Sequence, residues 1–272
     1  MAKMKLISVN DLSLQNEGYF AFKHVAFSLA QKEIIGISGD NGSGKTQLLE
    51  AIADDRKVDS GEINYTPGVR IGYLPQQDPQ EIYQTTRKYL EQIRKLSKKL
   101  AVRKDQMDAM ITYLRLSPYL DRNVNQLSLG TQRKIGFLAA VVGHPNVLLL
   151  DEPFIFQTDE TILNMLDMIQ DLKDNGSGII ISASQFSPNV EKILTTQYQL
   201  KNGRLVTPEK VATENLQFRI HADSIAITKE LFKYVTSNQN NLLQMQVPAQ
   251  LKDKIVSQMI ALNYQFVEVE HH

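Results

Sequence analysis

Residues 39 to 46 read GDNGSGKT, with glycines at Gly39, Gly42 and Gly44 ahead of Lys45 and Thr46. That spacing suits a phosphate chain. Glycines let successive backbone N–H groups turn toward phosphate oxygens, a lysine supplies charge to the outer phosphates, and the next hydroxyl can ligate Mg²⁺. Asp40, Asn41, Ser43 and Gln47 complete the loop and the first turn beyond it.

Hydrolysis needs more than a cradle. The stretch VLLLDEP supplies an apolar run ending in Asp151 and Glu152. Asp151 is expected to hold Mg²⁺ and Glu152 to polarise an attacking water as general base. Acids after a strand are common in ordinary loops; after a glycine-rich phosphate loop they gain meaning.

These residues need a scaffold, and its outline is in the hydrophobic pattern. KEIIGISG reads as a short buried strand feeding the loop, and GKTQLLEAIADD as a helix through Leu48, Leu49 and Ile52. NVLLLDEP and GIIISAS are two more buried strands, with the helix TDETILNMLDMIQDLKDN between them. Residues 1–35 read as an antiparallel strand pair, and DSGEINYTPGVRIGYLPQQ returns to strand. Residues of about 78–142 turn helical, and YQLKNGRLV is a hairpin turning at Asn-Gly. After 207 a strand, helix, strand pattern suggests a small α+β appendage, for which packing or dimerisation is the expectation.

Composition narrows the function classes. Of 272 residues, 30 are Lys or Arg and 30 Asp or Glu, so no global field favours nucleic acid or an anionic bilayer. The absence of cysteine excludes disulfides and thiolate metal sites and fits a cytoplasmic setting. No apolar run approaches the ~20 residues that a membrane span requires. His24, His144 and His221 read as turn or surface residues, and His271 and His272 as either a tag remnant or native sequence.

In order and spacing, GDNGSGKT, IGYLPQQ, NQLSLGTQRKIGFLAA and VLLLDEP resemble the Walker A, Q-loop, signature and Walker B motifs of ATP-binding cassette (ABC) proteins. The resemblance covers residues 1–207. It implies an α/β fold: a P-loop NTPase core with an antiparallel β subdomain and a helical subdomain, with the appendage outside it. Its cofactors would be ATP and Mg²⁺. Lys45, Gln76, Glu152 and Gln185 would be the catalytic set, and Thr46, Gln76 and Asp151 the metal set. Gly39, Asp40, Asn41, Gly42, Ser43, Gly44, Lys45, Thr46 and Gln47 would hold nucleotide, with Tyr19, or else Phe20, stacking on adenine. Ser128 and Gly130 would close on ATP bound to an opposing subunit, in a head-to-tail dimer.

Two departures stand out. Gln185 occupies the place of a family histidine, and after DEP the chain reads FIFQTD, with Thr158 where an aspartate is usual and Asp159 one place later. Both imply slow or partner-dependent turnover. The resemblance leans toward multidrug and bacteriocin-type exporter ATPases. It implies separate transmembrane permease subunits, a second ABC subunit, no nucleic acid, and a place on the cytoplasmic face of the membrane. A soluble non-transport ABC ATPase, or a regulatory nucleotide-binding module with little turnover, are the alternatives.

Overall fold

The computed structural model describes residues 3–16, 18–76, 82–97, 100–208, 213–221, 223–232, 234–239 and 241–270. Gln77, the expected start of the helical stretch near 78, and His271 and His272 lie outside them. The chain divides into two compact units, residues 1–208 and 209–272.

The first unit is organised by a six-stranded sheet. It uses β3 (Ile34–Ser38), β5 (Ile71–Leu74), β6 (Val147–Asp151), β7 (Gly178–Ala183), β8 (Thr196–Lys201) and β9 (Arg204–Val206) in the order β5-β6-β7-β3-β8-β9. The strands β5 to β8 run parallel and β9 antiparallel. Parallel strands are covered on both faces, which is why β6 and β7 are buried from end to end and apolar but for Asp151 and Ser182. Alternate residues serve different cores. Ile35, Ile37, Val147, Leu149 and Ile180 pack on α1 (Lys45–Ile52) and on a three-stranded antiparallel sheet. Ile34, Leu148, Leu150, Ile179 and Ile181 pack on α4 (Leu129–Val142) and α5 (Asp159–Asp174).

The antiparallel sheet has the order β2-β1-β4, from β1 (Lys5–Asn16), β2 (Tyr19–Ala30) and β4 (Ser60–Tyr65). The segment read as one return to strand therefore splits: β4 joins β1, while β5 edges the parallel sheet. Gly68 lies between them with φ +87, a left-handed turn that glycine adopts freely. The β8–β9 hairpin turns at Asn202 and Gly203, both at positive φ, as a two-residue primed turn requires.

The helical stretch is α2 (Thr86–Leu96), α3 (Lys104–Tyr113) and α4. Thr85, Ser128 and Thr158 cap α2, α4 and α5, each hydroxyl accepting a backbone N–H of the first turn. A short α6 (Pro188–Glu191) precedes β8.

The second unit contains β10 (Thr213–Ile220), α7 (Lys229–Phe232), β11 (Val235–Gln239), β12 (Leu242–Pro248), α8 (Lys252–Ala261) and β13 (Tyr264–Glu270). Its strands form one antiparallel sheet, β11-β12-β10-β13, the order of a split βαβ repeat. The sequence reading missed β10 and β11: β11 reads VTSNQ, with a single apolar residue, whereas β10 alternates through Leu216, Phe218 and Ile220 and was legible. Along β12 the pattern is clear: Leu243, Met245 and Val247 face a core shared with Phe218, Ile255 and Met259.

Candidate functional site

The site forms where β3, β6 and β7 end side by side, Ser38 beside Ala183 and Ser182 beside Asp151. Open α/β sheets place ligands at such carboxyl ends. The chain leaves β3 into the glycine loop and enters α1 through Gly44, whose φ is +103. A Cβ at Gly44 would lie 2.5 Å from the Ala21 carbonyl, so only glycine lets the loop lie against β2. Gly42 is left-handed too, with open space around it.

Lys45 is almost fully buried. Its Nζ donates to the carbonyls of Gly39 at 2.7 Å and Asp40 at 3.0 Å, and lies 3.8 Å from Glu152 Oε1. Burial pushes the Glu152 carboxyl above its ordinary value, against the pull of Lys45 in the other direction. Glu152 has φ +51, a conformation costly to a side-chain-bearing residue, held because its N–H donates to the Ser182 carbonyl at 3.1 Å and to Ser182 Oγ at 3.3 Å.

Asp151 is wholly buried; its Oδ1 accepts from the Ser182 hydroxyl, and its Oδ2 has no hydrogen-bond partner. The Thr46 hydroxyl donates to Gln76 Oε1 at 3.1 Å. The buried carboxylate oxygen left over at the end of β6, and the hydroxyl and amide oxygen that meet between α1 and Gln76, are oxygen donors of the kind a hard divalent cation takes. Among the described residues no cluster of three or more His, Cys, Asp or Glu offers a competing metal site. Ser43 Oγ is also buried without a partner, inside the loop.

A recess of about 310 Å³ opens over this loop, lined by Asn41, Gly42, Gly44, Lys45, Thr46, Gln47 and Gln76 together with the Glu50–Arg56 ion pair. Ser128, Gly130, Tyr19 and Gln185 do not line it. Ser128 caps α4, and its hydroxyl meets that of Thr131 at 2.9 Å. Tyr19 is 82% exposed at the start of β2, two residues from the Ala21 backbone that Gly44 touches, while the Phe20 ring sits under Lys23 Nζ at 4.7 Å. Gln185 is exposed beyond β7.

Sequence reasoning missed three residues. Arg133 on α4 is 1% exposed and donates to the carbonyls of Pro75, Gln76 and Asp151, so one guanidinium ties the Gln76 loop to the end of β6. Its neighbours in TQRK gave no sign of burial. Ser182 did carry a signal: a lone hydroxyl within an apolar strand. Gln157 donates to the Gly130 carbonyl, a contact that spacing does not reveal.

A family profile described as "ABC transporter" matches residues 22–155, from the strand before the loop through the acids. The chain carries an ABC transporter ATP-binding domain. It is a cassette ATPase of the transporter type, and ATP is the nucleotide of that family. An uncharacterized ABC transporter ATP-binding protein of Methanocaldococcus jannaschii is 29% identical over 201 residues, covering 71% of this chain and 74% of its own. The zinc import ATP-binding protein ZnuC of Jannaschia sp. is 36% identical over 149 residues, 55% of this chain and 60% of its own. The cassette shares its fold with the dimeric, post-hydrolysis cassette MJ0796 bound to ADP and Pi, with a TM-score of 0.63 at 20% identity over 76% of this chain and 99% of that one. These relatives include an importer and do not single out exporters.

Proposed function

We propose that the chain is the ATP-hydrolysing subunit of an ABC transporter, working with separate membrane subunits and completed by a second cassette. The observation that carries this reading is the convergence of Lys45, Thr46, Gln76, Asp151 and Glu152 on the ends of β3 and β6. No helix among the described residues is long and apolar enough to cross a membrane, so the cassette would reach the bilayer through partners. A location on the inner face of the membrane belongs to the same reading.

The residues take roles as follows. Loop amides from Gly39 to Thr46 and the N-terminal end of α1 would hold the phosphates, with Lys45 exchanging its carbonyl partners for phosphate oxygens. Thr46, Gln76 and Asp151 would hold Mg²⁺, which when bound neutralises charge on the outer phosphates. Glu152, seated beside Lys45, would accept the proton of the attacking water. Ser128 and Gly130, at the N-terminus of α4, would face the nucleotide of the second cassette. Gln185 would hydrogen-bond a γ-phosphate oxygen without carrying charge. Tyr19 would stack on adenine.

Steady-state ATP hydrolysis with Mg²⁺ tests the reading. Turnover lost in Glu152→Gln with ATP binding kept, binding lost in Lys45→Ala, and co-purification with an integral membrane protein would support it. Turnover that survives Glu152→Gln would remove Glu152 from the role of base.

A further inference from the structure

A second cleft, of about 450 Å³, shares no residue with the nucleotide recess. It opens between α3 and α5, over the C-terminal end of α4. His144 and Asn175, which line it, lie just before β6 and β7, so it sits at the opposite end of these strands from Asp151 and Glu152. No residue given a role in hydrolysis lines it.

Its floor is apolar and its rim acidic. Val102, Val141, Met168 and Leu172 are buried there as part of the core beneath α4 and α5, and Met110 packs on that core. Asp167 and Asp171, one helical turn apart and so on one face of α5, stand exposed at the edge. No lysine or arginine lines the cleft. Tyr113, its ring half-exposed, donates its hydroxyl to Asp167 Oδ2 at 2.8 Å. That bond, ahead of desolvation and the charges of Asp167 and Asp171, raises the phenol above its ordinary value, so the field at this spot is negative.

The volume is that of a small-molecule site, and the lining selects the charge of its occupant. Carboxylates over an apolar floor favour a cation with an apolar body, and an aromatic face adds to the attraction. A bare metal ion gains nothing from such a floor, and among the described residues no group of three or more His, Cys, Asp or Glu gathers to hold one. We infer that this cleft binds a small organic cation, its ammonium held by Asp167 and Asp171 beside the Tyr113 ring and its apolar body laid on Met110, Met168 and Leu172. The charge complementarity is local, since the chain as a whole carries no net charge.

The test uses the full chain without nucleotide at about pH 8, above the ordinary range of an imidazole such as that of His144. Its probes share one body and differ in charge: phenylbutylammonium, neutral phenylbutanol and anionic phenylbutyrate. Methyl NMR spectra of the methionines report where each binds. The expected result is a saturable shift of Met110 and Met168 with the ammonium, at an affinity at least about tenfold above that of either other probe, as one charge-assisted hydrogen bond supplies. Met245 and Met259, in the core of the second unit, should not move. In the double variant Asp167→Asn, Asp171→Asn, phenylbutanol should bind as before and the preference for the ammonium should vanish. Failure of the ammonium to shift Met110 and Met168 would overturn the inference. So would equal affinity for all three probes, or a preference that survives the double variant. None of these readouts depends on ATP, so the functional reading stands or falls separately.

Discussion

Lys45 Nζ and Glu152 Oε1 stand 3.8 Å apart, on side chains 6% and 10% exposed, although 107 positions separate the residues. The cation of the glycine loop thus holds the expected base in a pocket that disfavours its charge. Lys45→Ala removes the donor from the Gly39 and Asp40 carbonyls and the charge from Glu152. ATP affinity should fall about 10- to 100-fold, as expected for a lost charged hydrogen bond. Equilibrium binding of a fluorescent ATP analogue would measure it.

Glu152→Gln separates binding from chemistry. Turnover should fall at least about 100-fold, the contribution of a positioned general base, while ATP affinity changes little. Rapid-quench measurement of phosphate release would show it.

The same carboxyl gives a pH signature. Its folded pKa is raised above the ordinary 4.5, so the folded state binds the proton more tightly than the unfolded chain. Stability attributable to this group is therefore full at low pH and is lost as pH rises through the window between 4.5 and the raised value. Tm of Glu152→Gln relative to wild type should rise across that window and level off above it. On the acid side, kcat should fall at a pH above that of an exposed glutamate.

Arg133 predicts a structural cost with a catalytic echo. Arg133→Met leaves the Pro75, Gln76 and Asp151 carbonyls without this donor and should lower stability by about 3 kcal/mol or more in urea unfolding. Arg133→Lys keeps the charge without the planar fork and should recover only part of both stability and turnover.

Two compact units predict two melting events. Phe218, Met245, Val247 and Met259 form a core of their own in the second unit. A chain ending at Pro208 should retain ATP binding, and calorimetry of the full chain should resolve a transition that the shortened chain lacks.

The glycine loop, the strand that feeds it and the acids of β6 were legible because each is signalled within a few residues. Buried parallel strands read as unbroken apolar runs, and Gly44 announces the turn into α1. The allocation of β4 and β5 to different sheets was not legible, since strand pairing is decided by partners far away in sequence. Arg133 was hidden for a related reason. Within TQRK it reads as the wet face of a helix, and only packing of α4 over β5 and β6 buries it against carbonyls. Of the extra strands of the second unit, β11 has one apolar residue in VTSNQ and gives no alternation to read, while β10 does alternate, Leu216, Phe218 and Ile220 against Asn215, Gln217 and Arg219.

The alternation along β6 is also a ruler. Val147 and Leu149 belong to one core, Leu148 and Leu150 to the other, and Asp151 is the next mark on the first scale. A single residue inserted in this strand would have to swap its leucines between cores or carry the slip to its end, where Asp151 would take the place of Glu152 and Glu152 would move one place beyond. The apolar side chains, which touch no nucleotide, therefore set the address at which each acid is delivered.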